Sequence, residues 1–365
     1  MDDTVTHPSE KTSVSLKETH SFNLPSGILG MDVNRQEDNV FLACMDGTVR
    51  KYHLPSKKDT ILHQHDSYAS GVRCLPHSDQ LVSAGYDGKL NWIEPTDGQI
   101  IQQVKAHSFW SWDLSVSSQG HWVASVTGQY LPGSYDYRPA SPEESTVKVY
   151  NGSGSQLRHS LNMMPPVQAV AISPDERYVA AANLMGETRV WTLKEGHLVA
   201  ELKSDAFTSW GIIKSHHFIG GIQSIAFLPG TNDLLLGGSG EMRDPMAGNG
   251  AQIWEQYRWS DQPPRRTRII DETIRGKGMM EVLSVSPDGN RFVFAGRLAQ
   301  GQWNLGLFDS GTGELRHSLN TKFRVTEARF NTKGNRLYVA GAASQAKPKE
   351  GEWPDFGRLK IFDIT

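Results

Sequence analysis

Cysteine is nearly absent from this chain, with only Cys44 and Cys74 among 365 residues. Two cysteines exclude a disulfide framework and a cysteine-rich zinc centre. Both fall in expected strands of neighbouring repeats and read as small buried hydrophobes; a bond between them stays open only for an oxidising compartment. An excess of one charge is lacking too. Lys and Arg number 37 against 40 Asp and Glu, a formal charge of −3, which gives no global attraction to nucleic acid or an anionic membrane. No stretch approaches the roughly 18 apolar residues of a membrane span. The start, MDDTVTHPSEKTSVSLKE, has no apolar signal core, so the cytoplasm is the expected compartment. Glycine (35) and proline (18) are plentiful, as an architecture of many tight turns requires.

Val167 to Leu193, VQAVAISPDERYVAAANLMGETRVWTL, shows what those turns separate. Three short runs of β-branched, aromatic or small apolar residues are divided by Ser173–Arg177 and Met185–Glu187. Such runs read as strands joined by hairpins. A sheet of this size does not bury both faces alone and must stack on copies of itself.

Copies fill the chain. The aromatic of the third strand recurs at Tyr52, Trp92, Tyr150, Trp191, Trp254, Phe308 and Phe362, and the uninterrupted intervals, Tyr52 to Trp92 and Tyr150 to Trp191, are 40 and 41 residues. That period with four strands per repeat is the mark of a propeller. The seventh repeat supplies three strands before Thr365, and Glu18–Leu24 is a strand without a repeat. Pairing it with Arg358–Ile364 closes the ring and removes an exposed edge. The expected fold is therefore all-β: a single seven-bladed β-propeller of four-stranded blades over residues 17–365, preceded by a polar, disordered tail at 1–16.

The second repeat carries His65, then Ser83, Asp87-Gly88 and Trp92, and here the chain resembles the WD40 repeat family, over about residues 18–365. The resemblance implies that His65, Ser83, Asp87 and Trp92 form a structural hydrogen-bonded set inside the blade. His107 and Ser125 match its first two members in the third repeat, and Asp46 matches only the turn in the first. Elsewhere the pattern is degenerate, with Met163-Met164-Pro165-Pro166 and Glu187 in the fourth repeat. Those blades are expected to hold by apolar packing alone.

Departures from the 40-residue period cluster on one face, conventionally the top. Between second and third strands lie Thr127–Ser145, Gly238–Gly250, Gly296–Trp303 and Ala342–Gly357; between blades lie Ser204–Gly221 and Thr273–Met280. The loops of this face hold Phe109, Trp110, Tyr130, Tyr135, Tyr137, Trp210, Met242, Met279, Met280, Trp303 and Trp353, with Arg138, Arg243 and Arg297 among them. Aromatics, methionine and arginine are the residues that anchor interfaces. The expected function is a non-catalytic scaffold that recognises a protein or peptide on this top face.

Catalytic motifs are missing: there is no GxGxxG, GxxxxGK[ST], HExxH or GxSxG. No cofactor or metal is expected. Asp136, Glu241, Asp244 and Asp355 keep open an enzyme, or a small-molecule or carbohydrate site, at the channel mouth. The adjacent His216 and His217 would point apart on an extended chain, and His63 with His65 reads as structural. Nucleic acid is not the expected partner, because the basic run Arg265–Arg268 lacks interleaved aromatics.

Overall fold

The computed structural model describes residues 14–78, 80–129, 144–207, 221–240, 242, 248–348 and 354–365. Among these, regular structure is β throughout apart from one 3-10 turn at Asp205–Phe207. Seven four-stranded antiparallel sheets are present. Their first strands are Ile28–Val33, Ala69–Cys74, Asp113–Val116, Val167–Ile172, Gly221–Phe227, Lys277–Val285 and Arg324–Phe330. Each lies against the first strand of the next sheet, and the seventh lies against the first. The ring is closed. As expected from the sequence, the last sheet is completed from the other end of the chain. Leu16–Leu24 pairs antiparallel with Gly357–Ile364, Leu16 opposite Ile364 and Leu24 opposite Gly357.

The core lies in the layers between blades. Because side chains alternate across a strand, one face of each sheet packs on the blade before and the other on the blade after. Middle strands such as Leu81–Gly85 and Asp233–Ser239 are therefore buried along their whole length. Fourth strands face water on one side, and Ile100–Lys105 alternates accordingly. All seven third-strand aromatics are buried, each worth about 1.5–3 kcal/mol. Trp92 meets Tyr150 of the next blade edge-on at 6.4 Å.

The blade hydrogen-bond set differs from expectation in one member. His65 Nδ1 lies 3.0 and 3.1 Å from the Asp87 oxygens and its Nε2 lies 2.9 Å from Ser83 Oγ. Trp92 is not part of the set: its Nε1 donates to Gly152 O of the next blade at 2.8 Å. Asn91 takes that place, its Nδ2 3.3 Å from His65 Nε2 and 3.1 Å from His63 Nε2. Neighbours on a strand face opposite sides, so Asn91 reaches His65 only because Trp92 does not. Burial opposes the charge of Asp87. The hydrogen bonds from His65 and from the Lys89 and Asp66 amides prevail and hold its carboxyl down at about 2.

Nor do the degenerate blades rely on apolar packing alone. Arg50 pairs with Asp46 and Asp59 at 3.0 and 2.7 Å in the first blade. Asn183 donates to Glu187 in the fourth at 2.9 Å, and Asn304 to Thr321 in the sixth at 2.9 Å. In the third blade His107 keeps its bond to Ser125 at 2.9 Å, and burial pushes its imidazole down to about 3. Both cysteines are free; Cys44 is buried and Cys74 half-buried.

Two stretches expected as loops are strands in part. Within Thr273–Met280 and Gly296–Trp303, residues 277–280 and 296–300 pair with each other, Lys277 opposite Gln300 and Met279 opposite Arg297, lengthening the first hairpin of the sixth blade. Two enlargements side by side satisfy each other's backbone groups this way.

Candidate functional site

Through the ring runs a channel of about 1090 Å³. Its upper rim is built by one device repeated. The first strands carry a bulge near their start, between Ile28/Gly30, Ala69/Gly71, Val167/Ala169, Ile222/Ser224, Met280/Val282 and Val325/Glu327. A bulge leaves one residue outside the ladder and re-aims its side chain. The residues so released are Leu29, Ser70, Gln168, Gln223, Glu281 and Thr326, with Trp112 at the same place in the third blade, and all seven line the channel. Glycine follows the bulge where blades approach closest: a Cβ on Gly30 would sit 2.8 Å from Gly71 Cα.

At the rim of the second and third blades the aromatics form a ladder. Phe109 stacks on Trp110 (4.9 Å, 13°) and Trp110 on Tyr86 (4.4 Å, 4°), with Tyr68 tilted beyond at 5.7 Å. Trp112 stands edge-on to Tyr86 and Trp110 at 5.5 and 5.1 Å and anchors its Nε1 on Gly128 O at 2.9 Å. Trp110 remains 38% and Tyr68 44% exposed. Arg324 forks onto Glu281 at the same mouth, Nε to Oε2 at 2.7 Å. Burial pushes the Tyr86 phenol up to about 12, with Arg324 opposing and Glu281 adding. These groups offer flat apolar faces edged by fixed polar atoms, which suits recognition. Among the described residues no three His, Cys, Asp or Glu side chains are placed to hold a metal.

Below the rim the wall is charged on one side. Arg73 NH2 pairs with Glu327 at 2.8 Å, and its NH1 donates to Met31 O at 3.2 Å. Arg329 reaches the same Glu327 at 3.3 Å. Asp32 accepts from Val33 N and Cys74 N, and Asp113 from Leu114 N and Val170 N, all at 2.7–2.9 Å. Burial raises the Asp113 carboxyl, opposed by Arg73 and the two amides. The far side carries Ala171, Ala226 and Ser284.

No family model matches the chain. Over 178 residues it is 25% identical to Autophagy-related protein 16 of Arabidopsis thaliana, covering 48% of this chain and 33% of that protein. It is 23% identical over 184 residues to the U5 small nuclear ribonucleoprotein 40 kDa protein of Homo sapiens, covering 50% and 46%. It is 21% identical over 183 residues to Cilia- and flagella-associated protein 52 of Mus musculus, covering 50% and 26%. These relatives are WD-repeat proteins, and the present ring has the seven four-stranded blades of that architecture. The chain is a seven-bladed β-propeller similar to these WD-repeat proteins. Each match spans less than half of the relative's own length.

Of the residues the sequence singled out, this propeller brings Phe109, Trp110 and Met279 to the channel. Arg297 is exposed opposite Met279 on the lengthened hairpin. Met242, Met280 and Trp303 are corrections: they are 2%, 0% and 4% exposed and pack inside. Trp303 lies against Phe308 at 5.9 Å and donates Nε1 to Ile274 O at 2.9 Å. Tyr130, Tyr135, Tyr137, Arg138, Trp210, Arg243 and Trp353 lie outside the described residues, as do Asp136, Glu241 and Asp244. The basic run is occupied within its own blade, Arg266 by Glu255 at 2.6 Å, Arg265 by Asp261 at 3.2 Å and Arg268 by Gln256 at 3.0 Å. Sequence reasoning missed Tyr68, Tyr86, Trp112 and the charged wall. The signal available was the spacing Phe109-Trp110-Ser111-Trp112 at the start of an inner strand.

Proposed function

We propose that this propeller is a non-catalytic platform that holds a protein or peptide segment across the mouth of its channel. The observation that carries this reading is the aromatic ladder, left partly in water beside an open channel. Stacked rings of fixed geometry lose little entropy on contact and supply the apolar centre of an interface. Trp110, Phe109, Tyr86 and Tyr68 are the anchors, with Met279 and Arg297 at the edge. By their place in the sequence, Tyr130, Tyr135, Tyr137, Arg138, Trp210, Arg243 and Trp353 join them on the same face. Relatives named for a ribonucleoprotein and for cilia and flagella support a role in assemblies. No helix among the described residues is long and apolar enough to cross a membrane, and two free thiols suit a reducing compartment; the cytoplasm is the compartment proposed.

The test is quantitative affinity capture with wild type, a Tyr86→Ala/Trp110→Ala double variant, and His77→Ala on the opposite face as control. Partners held by the mouth drop by about 30-fold or more in the double variant, the scale of a hot spot, and persist with the control. Equal recovery of every partner by all three proteins overturns the reading.

A further inference from the structure

A second cavity lies away from the channel. It is a groove of about 690 Å³ at the outer edge of the ring. There the fourth strand of the fifth blade, Arg265–Ile269, meets the last turn and the fourth strand of the sixth, Leu315–Leu319. Trp254, Ile269, Ile274 and Leu315 give it apolar walls, a size and lining usual for a ligand cleft.

Its open polar groups are all donors. Arg265 and Arg266 are held by carboxylates, but Arg268, which lines the groove, donates NH1 to the neutral Oε1 of Gln256 at 3.0 Å and forms no ion pair among the described residues. Gln256 is itself held, its Nε2 donating to Asp233 at 2.6 Å. The guanidinium is therefore tethered with its other N–H groups left over. Arg316, also at the groove, is taken by Asp309 and Glu314 at 3.1 and 2.8 Å. Trp254 is 1% exposed, and its indole N–H has no partner. Its counterpart Trp92 donates to Gly152 O of the next blade at 2.8 Å. The ring edge of Trp254 that bears Cζ2 and Cη2 abuts Gly313, where a Cβ would sit 3.7 and 3.1 Å away, and Nε1 is on that same edge. A buried indole N–H normally has an acceptor. Two donors, one of them cationic, call for an anionic acceptor. Asp271 and Glu314 at the same groove would repel a dianionic phosphate more than a single carboxylate. Both flanking strands are sheet edges, whose free backbone groups match an extended chain.

We infer that this groove holds an extended segment of a partner protein in which one aspartate or glutamate lies among aliphatic residues. The carboxylate meets Arg268 and the Trp254 indole, and the aliphatic side chains cover Ile269 and Leu315. This surface is separate from the channel mouth. The probe is an array of nine-residue peptides with a central Glu and neighbours drawn from Leu, Ile, Val and Ser, together with octanoate and the chain's own residues 1–13, read with labelled full-length protein. Glu-centred peptides should bind, and their Gln counterparts should bind about tenfold or more weakly, as loss of one charge-assisted contact does. Arg268→Gln removes the cation and Ile269→Glu sets a like charge on the wall; each should give the same loss. Ile101→Glu, an equally exposed position on the second blade, and the Tyr86→Ala/Trp110→Ala variant should leave binding intact. In nitrogen-15-labelled protein the Trp254 indole resonance, assigned with Trp254→Phe, should shift downfield on binding. Peptides that bind equally well with Gln, or an affinity unchanged by either groove variant, overturn the inference. So does a groove filled by octanoate alone, by the 1–13 peptide alone, or by a second copy, seen as self-association lost in Ile269→Glu. Absence of any binding peptide overturns it too, while the capture experiment above decides the platform separately.

Discussion

At the scale of single residues, the chain uses alternation along a strand to assign neighbouring side chains to different tasks. Leu90 and Trp92 feed the layer toward the third blade, while Asn91 between them joins His65 and His63 on the opposite face. The buried core of that polar set is charge-assisted, since Asp87 holds its proton only below its ordinary range. An Asp held down to about 2 by native contacts, against about 3.9 in the unfolded chain, stabilises the fold fully above the unfolded value. That stabilisation fades as pH falls from there through the folded value. Asp87→Asn should therefore cost about 1–2 kcal/mol at pH 7, and urea titrations repeated at lower pH should show the gap to wild type closing between about 4 and 2. A gap that stays constant across that range would remove the carboxylate from the account.

At the scale of elements, the turns opposite the mouth show how a strained backbone is retained. The fourth residue of the first turn is glycine in the left-handed region at Gly120, Gly289 and Gly334, but glutamate at Glu37 and Glu176, with φ of 58° and 55°. Side chains other than glycine are disfavoured there by about 1–2 kcal/mol. Each glutamate reaches back to the preceding blade. Glu37 accepts from Asn331, Arg336 and Tyr338 of the seventh at 3.0–3.1 Å. Glu176 meets Gln119 N and His121 of the third at 2.6 and 2.7 Å. Glu37→Ala should lose these contacts, leave the buried Tyr338 hydroxyl with Arg336 alone and keep the strain, costing about 2–4 kcal/mol. Glu37→Gly should cost about 1 kcal/mol less, because the strain goes as well; thermal unfolding of both variants measures the difference. The opposite ordering would mean that the turn, not the contact, sets the stability. Elements also explain which parts of the site were readable. Phe109 and Trp110 stood out as adjacent aromatics in the link between the second and third blades, and the channel uses them. Met280 and Trp303 stood out as members of stretches that depart from the repeat but turned inward, because 277–280 pairs with 296–300 and both side chains join one buried cluster. Tyr86 occupies an ordinary short turn, so nothing in its local sequence marks it, and only the stack with Trp110 gives it a role.

At the scale of the whole molecule, closure is what makes the rim rigid enough to hold a ladder of rings. Two devices secure it. The strand Leu16–Leu24 completes the seventh sheet, and Arg73 of the second blade reaches across the first to Glu327 of the seventh. Removing residues 1–24 should leave Gly357–Ile364 as a bare edge with a row of unpaired amides. The truncated protein should self-associate on sedimentation and lose amide protection first in the seventh and first blades, measured by hydrogen exchange. A monomeric truncation with native protection would show that the ring is held by packing between blades alone. What the chain by itself determined is the ring: a period near 40, a buried aromatic in each third strand and a strand to spare at the front leave one way to bury every sheet. What tertiary structure alone decided is the chemistry at the mouth. Tyr86 sits in an ordinary turn and Arg73, Asp113 and Glu327 in three separate blades, so their meeting with Trp110 and with one another around a shared channel is a property of seven strands at once that no local stretch signals.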